Sequence, residues 1–184
     1  YVPAFYEARY GADGHFLALE PTTAEAPAVI TRRILEKLPP ALVRPIVPFL
    51  QTIHDRAAVE IQRGCTQVCQ AGMIYRPTRE RSPEEVVQAA RELMRNTGYD
   101  ELSLLSLSTT DHSQIVPMIN QLTSTFDDLK VGIPSTRVDS FSVDVANAVA
   151  KGKKHTLTLA PEAGSQRLRN AINKLVSEED LLGA

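Results

Sequence analysis

The sequence predicts an α/β fold built on a mainly parallel sheet. Three observations carry that reading. From Arg56 onward, short apolar runs alternate with segments of helical period, at intervals of about 30–45 residues, the spacing of βαβ units. The runs are apolar along their length, as strands of a parallel sheet are. Helix starts and stops are marked by capping residues, above all Ser82-Pro83-Glu84-Glu85 and Gly98.

Residues 1–20 read as a β-hairpin. Phe5, Tyr6 and Tyr10 lie before Gly11-Ala12-Asp13-Gly14, and Phe16, Leu17 and Leu19 follow it. Two glycines and an Asp are sound turn chemistry. Residues 21–55 carry six prolines and read as an extended linker with one short helical or strand piece near 29–38. Residues 57–61 suit a buried strand. Ser82 as N-cap, Pro83 at the first helical position and Glu85 at N3 then open a helix that runs to about Asn96 and closes at Gly98. Val86, Val87, Ala90, Leu93 and Met94 fall on its inner face. Strands follow at 102–107, 131–134 and 155–160. Helices follow at 113–126, interrupted early by Pro117, at 142–150 and at 165–173, and Ser177 caps one more. Periodicity leaves a barrel and a doubly wound sheet both open. No glycine-rich phosphate loop follows any strand, which weakens a dinucleotide-binding or P-loop reading. In either architecture the chemistry sits just beyond the strand C-termini. Those positions are 63–69, 108–112, 135–139 and 161–165.

The formal net charge of −2 gives no reason to expect a nucleic-acid surface. No run approaches the ~18 apolar residues that span a bilayer. Two cysteines in 184 residues do not make a disulfide framework and favour a reducing, cytoplasmic compartment. The chain opens without Met and stops soon after a helix start, so it reads as a piece of a longer protein.

Those two cysteines, Cys65 and Cys69, stand four apart in the first strand-end loop. Thiolates are soft ligands, and a close pair suggests an iron–sulfur or zinc site. Four segments carry a family signal: Arg63-Gly64-Cys65 with Cys69-Gln70-Ala71-Gly72-Met73-Ile74-Tyr75-Arg76-Pro77 and Arg79-Glu80-Arg81-Ser82-Pro83; Leu104-Leu105-Ser106-Leu107-Ser108-Thr109; Pro134-Ser135-Thr136-Arg137-Val138-Asp139-Ser140-Phe141; and Ala160-Pro161-Glu162-Ala163-Gly164. Together they resemble the radical S-adenosylmethionine (SAM) superfamily, and within it the large proteins with an upstream cobalamin-binding-type domain. The resemblance covers residues 54–184.

It implies a partial TIM-like barrel of six strand–helix units, of which about four are present here. It also implies a four-iron, four-sulfur cluster held by three thiolates in a CxxxCxxC loop. The open iron of that cluster chelates SAM, which is cleaved reductively to a 5′-deoxyadenosyl radical. On this chain it implies Cys65 and Cys69 as cluster ligands. It places Ser108, Thr109, Thr110 and Asp111 toward the SAM amino group, Ser135 and Arg137 toward its carboxylate, and Glu162 toward its ribose. Cobalamin enters only through an upstream domain of relatives. The loop departs from the family pattern. By flanking residues, Cys65 matches the first ligand and Cys69 the third, with three residues missing between them. By spacing, Cys69 is the second ligand and the third falls on Gly72. Either way one thiolate is lacking.

The expectation is therefore a hairpin and Pro-rich lead-in over 1–55 and an incomplete barrel over 56–184. Its function is that of a radical SAM enzyme fragment with a small-molecule cofactor and an unidentified substrate. Two alternatives stand beside it. One is a non-catalytic SAM-binding scaffold. The other is a small zinc domain using both cysteines and one or two of His15, His54, His112 and His155. Without the resemblance, Thr109–His112 equally suit turn and cap chemistry, and Arg137 and Glu162 suit solvated ion pairs.

Overall fold

A computed structural model describes residues 2–50, 52–138, 143–150, 157–174 and 176–183. His155, Asp139 and Ser142 lie outside the described residues. The chain divides into two compact units, Tyr1–Glu36 and Lys37–Ala184. The division thus falls after Glu36, and residues 37–55 associate with the sheet unit. Asn96 donates to the Val43 carbonyl at 2.7 Å and Arg81 to that of Pro39 at 2.6 Å.

The first unit holds the expected hairpin. Strands β1 (Tyr6–Tyr10) and β2 (Phe16–Pro21) pair antiparallel, with an irregularity at Arg9/Tyr10. The loop closes when Gly11 donates to the His15 carbonyl at 2.9 Å. No helix or strand forms over 29–38. Val29, Ile34 and Leu35 there are exposed. An isolated segment of that length, with no apolar surface to cover, does not hold regular structure in water.

In the second unit the elements run β3 (Ala57–Glu60), β4 (Gln62–Arg63), α1 (Gln70–Tyr75), β5 (Arg79–Glu80), α2 (Pro83–Thr97), β6 (Glu101–Leu105), α3 (Ile115–Thr125), β7 (Lys130–Thr136), α4 (Val143–Ala150), β8 (Leu157–Leu159), α5 (Gln166–Ala171) and α6 (Glu178–Gly183). A 3-10 turn at Thr109–Asp111 follows β6. Strands β3, β6, β7 and β8 form one parallel sheet in that spatial order. Each crossover therefore returns to the neighbouring strand. A doubly wound sheet would reverse direction at a switch point, and these four strands do not.

Strand alternation decides what each face carries. Ala57, Val59 and Ile61, Leu102 and Leu104, and Val131 and Ile133 are buried together with Val86, Ala90 and Leu93 of α2, Met118, Ile119 and Leu122 of α3, and Val145 of α4. The opposite face carries Ala58 and Leu105, both exposed, and Glu60, half-buried.

The capping box forms as the sequence predicts. Glu85 N–H donates to Ser82 Oγ at 3.2 Å, and Ser82 N–H donates to Glu85 Oε2 at 2.9 Å. Gly98, at φ 76°, ends the helix. Pro117 does not interrupt α3. It is the third helical residue, in the first turn, where backbone N–H groups have no intrahelical acceptor and a proline costs little. Ser177 caps α6 by accepting from Asp180 N–H at 3.0 Å.

Candidate functional site

The cysteine loop is an excursion of the chain closed at its base. β4 and β5 pair antiparallel, Gln62 opposite Glu80 and Arg63 opposite Arg79, so residues 64–78 leave and return at one point. Arg81 N–H continues the closure by donating to the Ile61 carbonyl at 2.8 Å. Two glycines fix the path inside. Gly64 sits at φ 95°, and a Cβ there would lie 2.6 Å from the Pro77 carbonyl oxygen and 2.8 Å from that of Tyr75. Only glycine combines that dihedral with so close an approach. At Gly72 a Cβ would overlap the Gln67 carbonyl. Cys65 and Cys69 are both buried and both free thiols, and Cys69 stands at the N-cap of α1.

Polar bonds from the second and third strand ends hold the loop in place. Asp111 Oδ2 accepts from Thr66 Oγ1 at 2.7 Å, Gln67 Nε2 at 3.1 Å and Arg137 Nη1 at 3.1 Å. One carboxylate oxygen thus joins the loop, the 3-10 turn and the end of β7. The Arg137–Asp111 pair is only 19% and 10% exposed at its side chains, so solvent screens it less than a surface pair. Below it, Glu80 accepts from Ser113 N–H at 2.9 Å and from the Ser113 hydroxyl.

His112 is buried and donates from Nε2 to the Arg81 carbonyl at 3.0 Å. Its Nδ1 accepts from Gln114 N–H at 3.0 Å, which fixes the neutral tautomer. Burial holds its pKa below the ordinary 6.5, against a smaller opposing effect of Glu80.

A cavity of about 200 Å³ opens where the strand ends converge, and its walls include Cys65, Ser108, Ser135, Arg137, Glu162 and Lys174. The first five were singled out from sequence, and they come from four different strand-end segments. The cavity presents cationic groups at Arg137 and Lys174, a carboxylate at Glu162, and hydroxyls at Ser108 and Ser135. Ser108 Oγ is buried with no hydrogen-bond partner, and such a group leaves its desolvation cost uncompensated. Glu162 holds φ at 70°, a left-handed conformation that costs a non-glycine residue about 1 kcal/mol or more. Lys174 Nζ pairs with its carboxylate at 2.9 Å.

Thr109 and Thr110 are not part of that wall. Thr109 is fully buried and donates to the Leu104 carbonyl at 3.3 Å, while Thr110 Oγ1 accepts from Arg137 N–H at 3.3 Å. Cys69 is not part of it either.

Three residues that shape the site were given no role from sequence, although Arg81 lies within one of the segments that carry the resemblance. Arg169 is buried and donates to Val176 O at 2.7 Å, Ala163 O at 2.9 Å and Gln166 Oε1 at 2.9 Å, which pins the loop that bears Glu162. Arg81 is buried and donates to Glu60 O at 2.8 Å as well as to Pro39 O. Asn173 Nδ2 donates to Val68 O at 2.8 Å and ties the end of α5 to the cysteine loop.

Among the described residues, no group of three or more His, Cys, Asp or Glu stands arranged to hold a metal ion, and no helix is long and apolar enough to cross a membrane.

No family model matches the chain. Over 131 residues it is 36% identical to an uncharacterized protein of Methanocaldococcus jannaschii (MJ0966), a match that covers 68% of this chain and 28% of that protein. The chain thus spans under a third of that relative's length.

Proposed function

We propose that this chain is a piece of a radical SAM protein that keeps the SAM-holding strand ends and lacks one thiolate of the cluster loop. The observation that carries the reading is the shared cavity of Cys65, Ser108, Ser135, Arg137 and Glu162. Five residues chosen by resemblance and separated by up to 97 positions in sequence (162 − 65) line one space. The four sequential parallel strands, with α2–α4 packed on one face, support reading the sheet as about four of the six units of a TIM-like barrel.

The residues fit SAM as a zwitterion. Arg137 suits the carboxylate, since a guanidinium pairs with it in a planar fork. Glu162 accepts from ribose hydroxyls or the ammonium. Ser108 Oγ supplies a buried hydrogen-bonding group awaiting a partner. At about 200 Å³ the cavity is smaller than the ~300–1,000 Å³ of drug-sized sites, so it takes the amino-acid end of the cofactor. Asp111 serves as a positioning residue, because its Oδ2 is already committed to Thr66, Gln67 and Arg137.

The residues do not fit a three-thiolate cluster. Two thiols are present, and position 72, where spacing would put a third, has no room for any side chain beside the Gln67 carbonyl. We therefore assign SAM binding to this chain and no reductive cleavage.

Anaerobic reconstitution with iron and sulfide tests this. The chain is expected to bind SAM in equilibrium dialysis, to hold fewer than four irons and to release no 5′-deoxyadenosine with a strong reductant. Inserting three residues, one a cysteine, between Cys65 and Cys69 is expected to restore about four irons, the complement of the family cluster. Four irons and SAM cleavage by the unaltered chain would replace the non-catalytic reading with the enzymatic one. Absence of SAM binding would end both.

A further inference from the structure

A second cavity, of about 440 Å³, lies on the sheet face away from α2–α4. It is lined by Glu60, Gln62, Arg63, Gly64, Tyr75, Leu105, Ser106 and Leu107. Its volume falls in the ~300–1,000 Å³ range of small-molecule sites. It meets the SAM-type cavity at Leu107, which lines both, and at the junction of Gly64 with Cys65.

The walls are apolar where they are open. Tyr75, Leu105 and Leu107 are 52%, 42% and 48% exposed. The polar side chains are almost all occupied with one another. Arg63 donates to both Glu60 oxygens at 2.7 Å. Ser106 Oγ lies 3.2 Å from Thr109 Oγ1 and accepts from Ser108 N–H. Gln62 is the exception. It is 1% exposed, and neither its Oε1 nor its Nε2 has a partner. Gln62 lines the cavity with Glu60, while Ile61 belongs to the core under the helices. An amide buried without partners is destabilising in both its donor and its acceptor. A hydrophobic residue of like size would serve packing better.

We propose that Gln62 recognises a planar ligand that carries an adjacent N–H donor and C=O acceptor (a lactam, primary carboxamide or nucleobase edge) and that stacks among Tyr75, Leu105 and Leu107. The carboxamide edge of Gln62 offers one donor and one acceptor side by side, so it pairs with such an edge through two hydrogen bonds. That this ligand is the substrate, set beside the cofactor, rests on the SAM reading; the recognition itself does not.

The test uses 2-pyridone, which has the N–H/C=O edge, and N-methyl-2-pyridone, which lacks the donor. Binding is followed by ligand-observed NMR with the whole chain. We expect 2-pyridone to bind at least about tenfold tighter than its N-methyl analogue, the factor expected for one good hydrogen bond in a buried site. Gln62→Met is expected to abolish that difference, to leave SAM affinity unchanged and to raise Tm. Equal binding of the two probes to the unaltered chain would overturn the proposal, and this arm stands even if the variant fails to fold. A lowered Tm in Gln62→Met with probe discrimination retained would overturn it too, and would make Gln62 a packing residue. Selective 2-pyridone binding in a chain that does not bind SAM would uphold the amide site and sink the functional reading instead.

Discussion

The helix-covered side of the sheet and the rim at its strand ends are held by different forces. Under α2 and α3 the contacts are apolar and close-packed, with Val86, Ala90, Leu93, Met118, Ile119 and Leu122 all fully buried. At the rim, single polar atoms carry the structure, and their partners lie 26 to 45 positions away in sequence, as at Asp111. Burial on the covered side is spread over many residues and fixes whether the chain folds. Bonding at the rim is concentrated in a few and fixes how the loops face one another. Substitutions on the two sides should therefore separate stability from ligand binding.

The largest effect is expected on the covered side. Leu93→Ala removes a fully buried side chain from α2 and should cost about 2–5 kcal/mol, read as a lowered denaturation midpoint. At the rim, Asp111→Ala removes the acceptor shared by Thr66, Gln67 and Arg137. It should cost roughly 1.5–3 kcal/mol and, on the proposed SAM reading, weaken SAM binding more than tenfold, whereas Leu93→Ala lowers stability with little change in affinity for the folded fraction. If Asp111→Ala bound SAM normally, the division of labour would fail. Ser82→Ala, which breaks the capping box, should cost about 1 kcal/mol with no effect on ligand.

A smaller effect, and one that belongs to the rim, is pH-dependent. His112 has a folded pKa depressed below 6.5, first through burial. The unfolded chain therefore binds the proton more readily, and stability rises with pH across that window. The contribution is present above about pH 6.5 and lost as pH falls through the folded value. Melting at pH 7.5 and 5.5 should show a larger drop for the unaltered chain than for His112→Gln.

What was legible in sequence follows the same boundary. The capping box at Ser82–Glu85, the Gly98 stop and the Ser177 cap are short-range devices, readable because both partners lie within three or four residues. Strand cores such as Leu102 and Leu104 were readable because burial leaves an apolar run. The strand-end residues around the cavity were found through resemblance, since no local rule brings Cys65 to Glu162. The burial of Arg81 and Arg169 went unread because an arginine's sequence context does not show that its guanidinium is enclosed. All but one of the acceptors named above are main-chain carbonyls, which have no sequence signature; the exception is Gln166 Oε1. Asp111 was expected to face the ligand's ammonium; its three protein donors come from two other segments, which no spacing discloses. Residues 29–38 contain apolar positions and suggested an element, but they form none, and Val29, Ile34 and Leu35 stay exposed.

The β4–β5 pairing at Gln62 and Arg79 has a consequence for engineering and for descent. A loop that leaves and re-enters a scaffold at one clamped doorway can change length without shifting the strands behind it. Residues 64–78 thus form an exchangeable cassette. On the proposed reading, a longer version with a complete thiolate set is expected to graft between the same two anchor pairs with the supporting sheet left intact.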